Sequence, residues 1–206
     1  MYQSLVIVDD FYDHPLEVRR RALACDYPPP ADPDKYPGRN SRERLLPEGL
    51  DRIMCRVPGE TVVGPRRPQS SHGRFRVTLA GEEGRFVAHV DPTNLQWAGI
   101  VYLTLPEHCK GGTAFYRHRG TDSDRAPLTR PELELHGLDS VESLLQRDGP
   151  DPAMWEHLMT VPMRFNRLIV YRPWLWHSAG ESFGSSPEDC RLIQLRHSRE
   201  EPAERR

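Results

Sequence analysis

Lysine is almost missing from this chain: of 28 basic residues only Lys35 and Lys110 are lysines, and the others are arginine. GC-rich codon usage produces such a skew, so arginine abundance by itself says little about function. Charge of one sign is not in excess either, because 28 basic residues face 30 acidic ones and the formal net charge is −2. No global basic field therefore points to nucleic acid as a partner. Cysteine is scarce and scattered. Cys25, Cys55, Cys109 and Cys190 make no CxxC pair, which argues against a zinc knuckle or a disulfide framework and leaves reduced thiols in a cytoplasmic protein as the expectation. Long apolar runs are also lacking. The amino terminus offers only Leu5-Val6-Ile7-Val8, too short for a secretory signal or a membrane span, so no membrane partner is expected. No internal repeat is evident.

A chain of 206 residues suits one domain with a substantial core. Its apolar segments are short and strand-like. Residues 4–9 read as a strand, followed by a helix over 15–25 that Asp13 could cap. Residues 27–40 hold Pro28-Pro29-Pro30 and Tyr36-Pro37-Gly38-Arg39 and read as a stiff surface loop, or as a lid from which Tyr36 and Arg39 could touch a substrate. A short helix is expected near 44–54. Residues 73–80 (GRFRVTLA) and 85–91 (RFVAHVD) are β-branched and aromatic runs around Gly81-Glu82-Glu83-Gly84, the pattern of a hairpin. Residues 97–105 (WAGIVYLTL) are nearly continuous apolar, as in a strand buried on both faces. A turn at Gly111-Gly112 leads to another strand over 113–116. Residues 121–162 are polar and interrupted by proline, with helices expected near 139–147 and 152–159. Strands follow over 165–171 (FNRLIVY) and 191–197 (RLIQLRH), and the last residues read as a frayed tail.

The chemistry concentrates in four residues. His89 and Asp91 stand two apart and share a face if the segment is extended, and Pro92 ends it. His177 comes 86 positions after Asp91, behind the apolar run that Pro173 breaks. Two imidazoles and a carboxylate form the facial set that holds non-haem Fe(II) and leaves positions open. Arg191 opens the next strand on one face with Ile193 and Leu195. A guanidinium there is costly to bury without an anion, and no acid on that strand can serve, so a small dicarboxylate would supply the missing charge. HxD alone is a weak signal in a chain with nine histidines; the constellation with His177 and Arg191 carries the reading. His14, His72, His108, His118, His136, His157 and His197 are expected at the surface or in caps, with His118 the one to check for a substrate contact.

In HVD at 89–91, His177 within NRLIVYRPWLWHSAG, and Arg191 beyond it, the sequence resembles the Fe(II)/2-oxoglutarate-dependent dioxygenases, closest in style to their prolyl-hydroxylase-like branch. The opening LVIVDDFYDHPLEVRRRALA resembles the strand and helix that precede their core. The resemblance implies a mainly β fold: a double-stranded β-helix (jelly-roll, cupin-like) core with flanking α-helices. By it, residues 1–206 form one catalytic domain. Residues 1–72 would hold the N-terminal strand, helices and proline-rich loop, 73–120 and 163–198 the core, and 121–162 a helical insertion.

It further implies that His89, Asp91 and His177 bind Fe(II), that Arg191 pairs with the distal carboxylate of 2-oxoglutarate, and that O₂ is consumed with release of succinate and CO₂. Tyr102 is a candidate to assist Arg191, with Arg76 and Arg85 the next arginines to consider as the anchor. Because Asp91 keeps the carboxylate that halogenating relatives lack, hydroxylation of an unactivated C–H is expected. A small amino acid or a natural-product intermediate is the expected substrate class, with peptidyl or carrier-bound forms open. Two alternatives stand beside this: a zinc hydrolase on the same His/Asp/His set, and a jelly-roll binding module without turnover.

Overall fold

Strand alternation is the rule that builds this molecule. The computed structural model describes residues 3–30, 36–65, 67 and 70–200; part of the expected proline-rich loop (31–35) and the tail (201–206) lie outside the described residues. In chain order the elements are β1 (Leu5–Val8), α1 (Pro15–Leu23), β2 (Arg39–Arg44), α2 (Leu50–Arg56), β3 (Val62–Val63), β4 (Arg74–Thr78), β5 (Trp97–Tyr102) and β6 (Gly112–His118). Then come α3 (Arg130–Leu135), α4 (Val141–Asp148), β7 (Trp155–Pro162), β8 (Leu168–Tyr171), β9 (His177–Ser178) and β10 (Arg191–Glu200). One antiparallel sheet runs β1-β8-β5-β10-β4-β2, with β3 also pairing β10, and a smaller sheet runs β7-β6-β9. The result is a jelly-roll core with flanking helices.

Successive side chains sort to opposite faces of the large sheet. Val101, Val170 and Leu192 point outward, where they bury Val18 and Ala22 of α1 and Leu50 and Met54 of α2. Their neighbours Ile100, Ile169 and Ile193 point inward and meet Phe115 and Val161 of the small sheet. β5 is buried at every position, as its unbroken apolar run requires. Several arginines are enclosed in this frame, Arg172 among them. Arg172, 2% exposed, lies 3.7 Å above the Trp97 ring and pairs with Glu60, which makes the burial tolerable.

Four expected elements differ. Residues 85–91 form no strand and no hairpin with β4: Val87 N–H bonds the Gly149 carbonyl and Asp91 N–H the Pro173 carbonyl, and His89 makes an isolated bridge with His177. Propensity for strand reports a fit to a half-buried pleated surface, and this segment finds its partners one bond at a time. The helix expected near 44–54 begins only at Leu50, because Arg39–Arg44 pairs with β4 and Gly49 turns the chain at φ 76°. Asp13 does not cap α1; His14 occupies that position and its carbonyl accepts from Glu17 and Val18, while Pro15 has no N–H to satisfy. The segment expected as a helix over 152–159 is a short 3-10 turn followed by β7, which pairs with β6 from His118 and Trp155 to Gly112 and Pro162. The small sheet therefore takes in residues counted as insertion.

Candidate metal centre and its cavity

His89 and His177 are tied by a reciprocal pair of backbone bonds, His89 N–H to the His177 carbonyl at 2.9 Å and His177 N–H to the His89 carbonyl at 3.0 Å. Such a pairing points both side chains to one side. Their rings lie 4.4 Å apart. Asp91, two residues on and held by its bond to Pro173, brings its carboxylate to the same place: one ligand atom from each of His89, Asp91 and His177 lies within 4.8 Å of the others. His177 Nδ1 is 2.8 Å from the Leu175 carbonyl. A carbonyl can only accept, so Nδ1 carries a proton and Nε2 is the atom turned to the cluster. Tyr171 donates its hydroxyl to Asp91 Oδ2 at 3.2 Å and lies equally close to His177 Nε2.

The electrostatics suit a cation. Burial first, and the neighbouring His177 second, lower the His89 pKa to about 3, so its imidazole is neutral and able to ligate at neutral pH. Burial works to raise the Asp91 carboxyl, but the imidazoles around it, His177 first and then His197 and His89, outweigh it and hold Asp91 well below the usual carboxylate range. Tyr171 is pushed well above the ordinary phenol value by burial and by the Asp91 charge. It stays a proton donor.

These groups open onto a cavity of about 630 Å³. Arg191 lies on its wall, only 2% exposed, and its Nε has no hydrogen-bond partner. Burial pulls the guanidinium pKa down, and no carboxylate pairs with it among the described residues. Thr113 shares the wall and its hydroxyl bonds Tyr102 at 2.8 Å; Tyr102 points inward, with Arg191 easing the pKa rise that burial imposes on it. Arg76 also lines the cavity. A second cavity of about 290 Å³ also borders His89, and Tyr36 lines both, its ring 5.4 Å from that of His89.

Other expected contacts fall elsewhere. Arg85 is away from the large cavity, bonded to Gln146 at 2.8 Å, and Arg39 faces Glu82 at 3.6 Å. His118 is neither at the surface nor free for substrate: it is fully buried, Nε2 3.0 Å from Asp148 and Nδ1 3.1 Å from Thr121. His72 is likewise buried and accepts the His197 N–H at 2.9 Å. His197 itself lines the large cavity, and Tyr171 stands at the triad. Alternation would have found both, since His197 continues the face of Arg191, Ile193 and Leu195, and Tyr171 shares a face with Ile169.

The family model described as "Family of unknown function (DUF6445)" matches residues 2–192. The chain belongs to that family. No curated protein matches the sequence. Among solved structures, this DUF6445 chain is similar to SnoK, a non-haem α-ketoglutarate-dependent carbocyclase from nogalamycin biosynthesis, at TM-score 0.48 and 12% identity over 96% of this chain and 80% of that one. It is also similar to an N-substituted L-amino acid dioxygenase from Burkholderia ambifaria at TM-score 0.43 and 11% identity, over 94% and 85% of the two chains. Among the described residues no helix is long and apolar enough to cross a membrane.

Proposed function

We propose that this protein is an Fe(II)- and 2-oxoglutarate-dependent oxygenase that hydroxylates an unactivated C–H bond of a small, amino-acid-derived substrate. One observation carries the reading: the His89, Asp91 and His177 cluster shares a cavity with a buried arginine that has no acidic partner. The donor set fits the metal, being two imidazoles and one carboxylate that stays ionised. The arginine fits the co-substrate, because a planar guanidinium grips a carboxylate bidentately. Bound there, Fe(II) and 2-oxoglutarate supply O₂-dependent oxidation coupled to loss of CO₂ and formation of succinate.

The chain's own part is positioning. His89, Asp91 and His177 would hold the metal, with the Leu175 carbonyl fixing the His177 ring through its Nδ1 proton. Arg191 would bind the distal carboxylate beside Thr113, while Ile100, Ile193 and Leu195 exclude water from the same wall. Tyr171 keeps its proton and orients the Asp91 carboxylate. The same donors suit Zn²⁺ and hydrolysis, but hydrolysis gives a buried, unpaired arginine nothing to do. The deciding experiment is anaerobic reconstitution with Fe(II), addition of 2-oxoglutarate and O₂, and measurement of succinate with a panel of amino acids and their N-acyl derivatives. Succinate formed with a hydroxylated product is expected. Failure to form succinate above a metal-free control, with ester or amide hydrolysis on Zn(II) loading, would move the site to the hydrolases.

A further inference from the structure

We propose that the substrate of this site carries a carboxylate and that Arg76 receives it, a role separate from the Arg191 anchor. The proposal rests on the oxygenase reading above. Arg76 stands opposite Ile193 in the β4–β10 pairing, whereas Arg191 stands opposite Thr78. The two guanidiniums thus leave the same inner face one pleat apart, about 7 Å along the strand. Arg191 shares the cavity wall with Thr113 and is almost wholly enclosed. In the other direction β10 continues to Leu195 and His197, where the cavity wall passes into the exposed residues Arg67, Pro92 and Asn94. Arg76 is on that side, the side from which a substrate enters.

Its surroundings hold it without neutralising it. Nε donates to Asn40 Oδ1 at 2.7 Å, and the Tyr36 ring lies 5.4 Å from Cζ. Those contacts use Nε and one ring face, Arg76 lines the cavity, and its outer nitrogens, the end that grips a carboxylate, make no hydrogen bond among the described residues. No ion pair involves Arg76 among the described residues. The charge count then decides the substrate class. Arg76 and Arg191 set two guanidiniums against Asp91, the one carboxylate lining the cavity among the described residues, while Arg67 stands at its exposed mouth. A divalent metal and doubly charged 2-oxoglutarate cancel each other, so the loaded cavity keeps one unit of positive charge. A neutral or cationic substrate would leave that charge desolvated and unpaired; a carboxylate removes the cost and fixes the substrate's orientation against the metal.

The test uses acetate as the probe and Mn(II) as the metal. The full chain is loaded with Mn(II) and saturating 2-oxoglutarate, acetate is titrated at constant ionic strength, and broadening of its methyl proton resonance by the bound Mn(II) is followed. Saturable broadening is expected in the wild type. In Arg76→Met the apparent acetate Kd should rise by about tenfold or more, in Arg76→Lys by less, while the 2-oxoglutarate Kd changes by less than about threefold in either. Thermal melts establish that the variants are folded, and the lysine variant keeps the test open if the methionine one is not. Absence of acetate binding in the wild type, or binding unchanged in both variants, overturns the proposal. So does a fall in 2-oxoglutarate affinity as large as that in Arg191→Met, which would give Arg76 to the co-substrate. If the wild type does not bind 2-oxoglutarate at all, the oxygenase reading fails first and this assignment fails with it.

Discussion

Arg191→Met should make the ligand-free protein more stable and the ligand-bound protein less so. The guanidinium is 2% exposed, and among the described residues its Nε has no hydrogen-bond partner and no carboxylate pairs with it. A buried donor left without a partner costs about 1–3 kcal/mol, and methionine fills much of the same space without that cost. For a chain of this size each kcal/mol is worth about 2–4 °C, so the melting temperature without ligand should rise by roughly 2–12 °C. The opposite change appears with 2-oxoglutarate. Removing one partner of a desolvated charge pair costs about 2–5 kcal/mol, an affinity loss of roughly 30-fold to 5,000-fold. Since a ligand stabilises only the form it binds, saturating 2-oxoglutarate on the Mn(II)-loaded protein should raise the wild-type melting temperature and hardly move the variant, inverting their order. Calorimetric melts of both proteins, with and without 2-oxoglutarate, check this. A variant that is less stable when empty and responds to 2-oxoglutarate like the wild type would show that Arg191 is a packing residue and refute the anchor.

His89→Ala and His177→Ala should each weaken metal binding by more than about a hundredfold, because loss of mere outer partners already costs 10–100-fold; competition against a chelating dye measures it, and unchanged affinity in both would remove them as a pair. His72 gives a pH test. Its pKa falls from 6.5 to about 3 on burial, so the unfolded chain binds the proton first, and the stability it contributes is complete above pH 6.5 and is lost as pH falls towards 3. The loss between about pH 7 and pH 5 is about 2 kcal/mol, and urea melts should show a shallower pH slope in His72→Gln; equal slopes would contradict the burial argument. Gly180 sits at φ 73°, and a Cβ there would come within 2.2 Å of the Gly112 carbonyl. Gly180→Ala should therefore cost at least about 1–3 kcal/mol and loosen the β6–β9 pairing that seats His177, visible as lower melting temperature together with weaker metal binding.

The core strands were legible because alternation is written in residue type. WAGIVY and LIVY each place one apolar set outward under the helices and another inward to the cavity, and in RLIQLRH the alternation puts Arg191 on the inner face with Ile193 and Leu195. The same rule, carried two residues further, would have placed His197 in the cavity. What could not be read was any element whose partners are distant and few. RFVAHVD has the composition of a strand, yet its hydrogen bonds go to Gly149, His177 and Pro173, and nothing local encodes those partners. WEHLMTVP failed for the converse reason: its glutamate, leucine and methionine suit a helix, and pairing with β6 overrides that preference. His118 looked polar in its sequence surroundings because Asp148 and Trp155, which enclose it, lie thirty or more positions away.

The segment bearing His89 and Asp91 lacks a strand's ladder, so something else must keep two metal-ligand candidates in place. Ala88 is fully buried, and Phe86, Val87 and Val90 pack on the cluster formed by Leu144 and Leu145 of α4 with Trp155 and Trp176. The helix end is tied to the segment directly: the Gly149 carbonyl accepts the Val87 N–H, and Gly149 lies so close to Phe86 that a Cβ would come within 2.5 Å of the ring. Asp148, next in sequence, locks the cluster from below by holding His118 at 3.0 Å and Arg147 at 2.8 Å. Residues that look like an appended insertion between β6 and β7 thus form the floor under the ligand segment. Side chains at positions 89 and 91 can sit on irregular backbone and still be held because packing against α4 and the two tryptophans replaces the missing ladder. Changes to α4 should for that reason reach the metal through Val87 and Phe86, although no residue of α4 borders the large cavity.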